Sequence, residues 1–107
     1  MLKGLGNLQG ILRQALDVKN KIDALKDVLA NERVEASSGG GMVKVVMTGK
    51  FEIESLKIDP EIINKDEPEM LETLVSAAIN EAVRRTQDLV KAKMAELTGG
   101  MDIPGLT

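Results

Sequence analysis

The chain has 107 residues, a net charge of −3 and a hydrophobic content of 43%, with one Phe and no Trp, Tyr, Cys or His. The lack of cysteine excludes a disulfide scaffold and thiolate chemistry, and the lack of histidine removes the commonest general base and zinc ligand. No apolar run approaches the ~20 residues that span a bilayer, so we expect a cytoplasmic protein with no membrane partner. The length predicts a single domain over residues 1–107, with mobile tails at 1–4 and 99–107.

The first predicted element is a long helix over residues 5–30. Its apolar positions alternate in steps of three and four, a mean of ~3.5 that is typical of a coiled-coil seam: Leu8, Ile11 or Leu12, Ala15, Val18, Ile22, Leu25 and Leu29. Such a seam favours pairing with another long helix, either within the chain or across a dimer. The alternative is an ordinary amphipathic helix packed on its own sheet.

Three short strands are predicted next, over residues 32–36, 42–48 and 51–58, and they form an antiparallel meander. The three glycines of residues 39–41 favour a tight hairpin turn, because they lack the spacing of a phosphate loop or a dinucleotide site. In the third strand Phe51 and Ile53 share a face, whereas Leu56 and Ile58 have the opposite parity. Either a bulge near residues 54–55 or a strand covered on both sides would explain this.

One helical turn is expected at residues 59–63, and a second long helix over residues 68–97. Asp66, Glu67 and Pro68 are typical helix-start residues, and Gly99-Gly100 is the expected stop. The apolar sector of this helix is broad enough to contact both a sheet and a partner helix. The fold class is therefore α+β: a long helix, a three-stranded antiparallel meander and a second long helix.

The sequence contains no recognisable catalytic or metal-binding motif. Serines have no histidine to activate them, no calcium loop occurs, and the carboxylates fit solvated faces and helix caps better than an acid–base pair. We therefore expect no enzyme activity, cofactor, metal or small-molecule substrate.

Positive charge is concentrated near the two ends of the chain. Residues 1–26 carry five basic groups and two acidic ones, whereas residues 27–72 carry five basic and eleven acidic groups. Residues 84–93 carry four basic groups and one acidic group. The helix–sheet–helix order predicts that the basic residues of the two helices approach one another far from the acidic sheet. Duplex DNA requires only such charge along its phosphates, although solvated helix surfaces would give the same pattern.

Six short motifs occur in an order and spacing that resemble a known family. They are LGNL at residues 5–8, SGGGMVKV at 38–45, IDP at 58–60, LVSAAINEA at 74–82, KMAELTGGM at 93–101 and PGL at 104–106. Together they are similar to the YbaB/EbfC family of bacterial nucleoid-associated proteins, over nearly the whole chain.

The resemblance implies a homodimer shaped like tweezers, whose protruding helices contact duplex DNA in the nucleoid and influence nucleoid organisation or gene expression. The DNA-binding residues that it implies are Lys3 and Arg13 on the first helix and Arg84, Arg85 and Lys91 on the second. The alternative function is a dimeric protein-interaction module that does not bind DNA directly and whose basic residues only solubilise it.

Overall fold

The computed structural model describes the backbone of residues 2–97 and the side chains of residues 7–97. In chain order the elements are α1 (Leu2–Asn31), β1 (Arg33–Ser38), β2 (Val43–Thr48), β3 (Ile53–Ile58) and α2 (Pro68–Leu97), with short 3₁₀ turns at Gly39–Gly41 and Pro60–Ile62. The α+β class and its helix–meander–helix order are therefore confirmed. The tail predicted at residues 99–107, with the predicted glycine stop, lies outside the described residues, as does residue 1. The other residues of the predicted amino-terminal tail, 2–4, form the start of α1.

The triple glycine turns the chain from β1 into β2. All three residues have positive φ angles, 60°, 67° and 93° for Gly39, Gly40 and Gly41, a conformation that residues with a Cβ rarely adopt. The turn joins neighbouring strands of an antiparallel sheet in the order β1-β2-β3. The predicted role of these glycines as a hairpin turn is confirmed.

A bulge resolves the mixed parity of the third strand. Val46 pairs with Ser55 and Met47 pairs with Ile53, so Glu54 is the extra residue on β3. Phe51 was predicted to lie in the third strand, but that strand begins at Ile53. It has a φ of 64° and donates its backbone N–H to the Thr48 carbonyl at 3.0 Å, so it belongs to the turn between β2 and β3.

Helix α2 covers one face of the sheet and forms the core with it. Val43 and Val45 are fully buried against Ala78 and Ala82, whose small side chains allow the helix to approach the sheet closely. Each buried valine contributes about 1.5–3 kcal/mol through removal from water. The Ser38 hydroxyl donates to the Leu74 carbonyl at 2.5 Å and joins the end of β1 to the helix.

The β2–β3 turn anchors the carboxyl end of α1. The backbone N–H of Gly49 donates to the carbonyls of Leu29 at 3.0 Å and Glu32 at 3.2 Å. A Cβ at position 49 would lie 2.5 Å from the Leu29 oxygen, so only glycine allows this approach. The Lys93 ammonium lies 3.5 Å from a Glu32 carboxylate oxygen and ties the end of α2 to the same junction. These contacts fix the direction in which α1 leaves the sheet.

Most of α1 packs against no other element of its own protomer. Every side chain from residue 7 to residue 24 is exposed, and the molecule measures 76 × 22 × 20 Å. The exposed positions include six large apolar residues, each 38–60% accessible: Leu8, Ile11, Leu12, Leu16, Val18 and Ile22. The alternative of a helix packed on its own sheet is therefore wrong for this stretch, and no other described helix of the chain covers the seam between residues 8 and 22. The last seam positions, Leu25 and Leu29, are half-buried and buried within the protomer.

Candidate nucleic-acid interface

Arg84 and Lys91 form an exposed basic face on α2. They are seven residues apart, which places them on the same side of the helix and about 10 Å apart along its axis. Both are exposed, and 63% of the Arg84 side chain is accessible. The buried residues Ala78 and Ala82 lie on another side of the helix, against the sheet. The two cations are therefore accessible to a partner that approaches α2 from solvent.

One carboxylate, Glu81, holds the two neighbouring arginines. Its Oε1 accepts from Arg84 Nη2 at 2.5 Å and from Arg85 Nε at 2.9 Å, and its Oε2 accepts from Arg84 Nε at 3.1 Å. A carboxylate oxygen of Asp88 lies 3.6 Å from Arg84 Nη1. Ion pairs this exposed contribute little to stability and exchange readily with other anions. The arginines are thus partly neutralised but remain available.

The same contacts shift two pKa values. Hydrogen bonds from Arg84 and Arg85 lower the pKa of the Glu81 carboxyl, and the Glu81 carboxylate raises the pKa of Arg84. Because folding lowers the pKa of the Glu81 carboxyl, its ionised form stabilises the folded protein at pH values above its ordinary pKa. That stabilisation is lost as the pH falls through the lowered pKa. At neutral pH the carboxylate is charged and competes with any anionic partner for both arginines.

Arg85 lies at the edge of the sheet, not on the face of Arg84 and Lys91. Its Nη1 donates to the backbone carbonyl of Glu35 on β1 at 2.9 Å. The expectation that the basic residues of α2 lie far from the sheet is therefore wrong for Arg85. Since it follows Ala78 by seven residues, Arg85 lies beside the buried stripe of the helix and reaches the edge strand.

Arg13 of α1 lies away from Arg84 and Arg85 of α2 within one protomer. Arg13 is exposed on the unpacked part of the helix, sixteen residues before Leu29 and hence about 24 Å along the helix from the junction with the sheet. It does not meet Arg84 or Arg85, contrary to the prediction from chain topology. The side chain of Lys3 lies outside the described residues.

Two lysines that the sequence analysis passed over lie near Arg85. Lys44 on β2 and Lys57 on β3 are exposed, and with Arg85 they line a groove of about 410 Å³ on the sheet face opposite α2. The charge count by segment did not single them out, because both lie in residues 27–72, the most acidic segment of the sequence. Strand alternation was the signal that could have found them, since Lys44 lies between the buried residues Val43 and Val45 and must point outward.

The described part of the chain offers no other obvious chemistry. Within residues 7–97 no three carboxylates are grouped closely enough to hold a metal ion. Neither of the long helices, over the residues described, contains a stretch long and hydrophobic enough to cross a lipid bilayer. The exposed basic residues of α1, α2 and the sheet are therefore the surface features from which a function can be argued.

Comparisons with known proteins identify a matching family and several relatives. Residues 4–101 match the model of the YbaB/EbfC DNA-binding family. A nucleoid-associated protein of Desulfotalea psychrophila is 45% identical over 101 residues, which cover 94% of this chain and 95% of that protein. A nucleoid-associated protein of Thermoanaerobacter pseudethanolicus is 41% identical over 100 residues, which cover 94% and 90%.

A solved structure supports the fold. The crystal structure of an uncharacterized protein from Helicobacter pylori superimposes with a TM-score of 0.63 at 25% identity, covering 73% of this chain and 92% of the other.

Proposed function

The chain belongs to the YbaB/EbfC DNA-binding family, and from this membership we propose that it binds duplex DNA as a homodimer and performs no catalysis. Contacts with phosphates give the affinity, with little preference for sequence. The residues proposed to make them are Lys3, Arg13, Arg84, Arg85 and Lys91. The protein acts in the bacterial cytoplasm at the nucleoid, where it contributes to nucleoid organisation or gene expression.

The observation that carries this proposal is the exposed basic face of Arg84 and Lys91 on a protein whose net charge is −3. Ammonium and guanidinium groups on a helix surface suit phosphate oxygens, which every DNA sequence presents alike. Stacking on bases is the usual mode for single strands, and the chain has a single aromatic residue, Phe51. Duplex backbone binding is therefore favoured over single-strand binding.

The exposed apolar residues of α1 support the homodimer. Most of the stability of a helix in a protein comes from packing of its apolar face, and the apolar residues of α1 between positions 8 and 22 are exposed in the protomer. The seam repeats every three or four residues, so the same seam on a second copy would cover it. A second copy would also place two sets of basic residues on one duplex.

A salt titration of duplex binding tests the proposal. If two protomers together neutralise on the order of six phosphates, affinity for a random duplex falls about a thousandfold between 50 and 200 mM salt. Fluorescence anisotropy with two unrelated duplexes of equal length measures this, and we expect similar affinities for both. Binding that stays flat over this range, or no binding at micromolar protein, contradicts phosphate-based recognition.

Replacing Glu81 by glutamine is expected to strengthen DNA binding. The change removes one negative charge and frees both Arg84 and Arg85 from their shared carboxylate. We expect a several-fold gain in affinity for random duplex at moderate salt. The salt slope, which is the slope of log affinity against log salt concentration, should become steeper. Asp88→Asn, which removes an equal charge but only the longer contact to Arg84, should give a smaller gain. An affinity unchanged by Glu81→Gln would show that these arginines do not reach the DNA.

A further inference from the structure

The sheet face opposite α2 carries a groove that the proposed DNA contacts do not include. It has a volume of about 410 Å³, and residues from all three strands and from α2 line it. We call it the sheet groove, and its lining residues with polar or charged side chains are Glu35, Ser37, Lys44, Ser55, Lys57 and Arg85. Three cations face one carboxylate, so the groove is electropositive within an acidic protein.

Two of these cations lie directly opposite one another. Lys44 on β2 pairs with Lys57 on β3 in the sheet register, so both side chains project from the same face. Like charges at directly opposed positions destabilise a sheet. Within residues 7–97 neither ammonium forms an ion pair, although acidic residues are abundant in this segment. The arrangement costs stability in the free protein, and an anion between the two lysines would offset that cost.

The remaining polar groups suit the same kind of ligand. Ser37 pairs with Lys44 across the sheet, so its hydroxyl projects from the lysine face. The Arg85 guanidinium is held at the rim by Glu81 and by the Glu35 carbonyl. Arg85 shares the Glu81 carboxylate with Arg84, so the rim of the groove adjoins the basic face of that helix. Glu35 is the one carboxylate among the lining residues, and Glu54 on the neighbouring part of β3 is paired with Arg33.

We infer that the sheet groove is a phosphate-binding site for the DNA backbone, formed by Lys44, Lys57 and Arg85. This inference rests on the proposed function and extends it, because it adds the sheet to a contact surface otherwise made of helices. A duplex that lies across Arg84 and Lys91 continues over the edge of β1, and the groove receives one of its phosphates. Inorganic polyphosphate has the same chemistry and is the other possible source of the anion.

The test is the double variant Lys44→Gln/Lys57→Gln, with Lys50→Gln/Lys65→Gln as the matched control. Both lose two exposed positive charges, but Lys50 and Lys65 do not line the groove. We expect the groove variant to lose roughly tenfold or more in duplex affinity at moderate salt. The slope of log affinity against log salt concentration should be about one smaller for each protomer in contact, because each groove holds one phosphate. The control should lose far less. Because a like-charge pair is removed, the melting temperature of the groove variant should stay equal or rise.

The outcomes separate the inference from the proposal beneath it. If wild-type protein binds duplex and the groove variant keeps the wild-type salt slope, the inference is overturned and the proposed function stands. If wild-type protein binds no duplex, both are overturned. Tripolyphosphate, added while the backbone amide signals of Lys44 and Lys57 are followed by NMR, tests the other source. Shifts with tripolyphosphate but an unchanged duplex slope would assign the groove to a free phosphate compound and overturn its role in DNA binding.

Discussion

Reversing the charge of Arg84 and Lys91 together is expected to abolish duplex binding at moderate salt. The change replaces two phosphate contacts in each protomer by two repulsive groups, so a dimer loses four contacts and gains four repulsions. We expect affinity to fall by more than a hundredfold, since each contact contributes nearly one power of the salt concentration to binding. Fluorescence anisotropy on a random duplex at 100 mM salt would measure the loss. Arg85 is left intact because its bond to the Glu35 carbonyl supports the sheet edge.

The matched control is Lys50→Glu/Lys65→Glu, which changes net charge equally at exposed positions outside α2. If the control loses as much affinity as the α2 variant, overall charge rather than the α2 face governs binding. Sedimentation and the melting temperature should show an intact dimer in both variants, because exposed ion pairs such as that of Arg84 contribute only about 0–1 kcal/mol. Unchanged DNA binding in the α2 variant would contradict the proposed contact surface and favour the protein-interaction alternative.

Local signals in the sequence were sufficient for most of the fold. Helix α2 spans Pro68–Leu97 as predicted, because a proline start and a continuous apolar sector leave little freedom for its position. The glycine turn also followed from local chemistry. Parity left a bulge as one of two explanations for the third strand, and the structure has that bulge at Glu54. Phe51 was misassigned to a strand because its left-handed φ of 64° is rare outside glycine and has no sequence signature.

The positions of the charged side chains in the folded protein could not be predicted from local sequence signals. Arg13 and Arg85 were expected to meet, but the direction of α1 depends on the contact between Gly49 and the Leu29 carbonyl, which no sequence pattern reveals. Summing charges over segments also hid Lys44 and Lys57, because it ignores which face of a strand each residue occupies. Glu81 precedes Arg84 and Arg85 by three and four residues, a helical spacing that allows both ion pairs but does not require them.

Placing aspartates in the seam of α1 is expected to convert the proposed homodimer into a monomer. Ile11 and Val18 are 60% and 55% exposed in the protomer, and each would contribute about 1.5–3 kcal/mol when buried against a second copy. Ile11→Asp/Val18→Asp removes this from both protomers and introduces charges that a paired seam would have to bury. Sedimentation at micromolar concentration should then give the monomer mass of 11.5 kDa. Circular dichroism should show reduced helicity, because α1 would lose the packing of its apolar face that stabilises it.

The control for this experiment is Gln9→Asp/Asn20→Asp, which adds the same charges to α1 at exposed positions outside the heptad seam. It should remain dimeric and should bind DNA with only the small loss expected from two added charges.

A second apolar surface, between α2 and β3, provides the competing explanation for a dimer. An open groove there is lined by Leu56, Ile58, Leu71, Val75 and Ile79. If Val75→Asp dissociates the dimer and the seam variant does not, the interface is that groove and the proposal of paired α1 helices is wrong. If the seam variant alone dissociates it, the second copy covers α1, and duplex affinity should fall in the same variant because each monomer brings only half of the basic residues to the DNA.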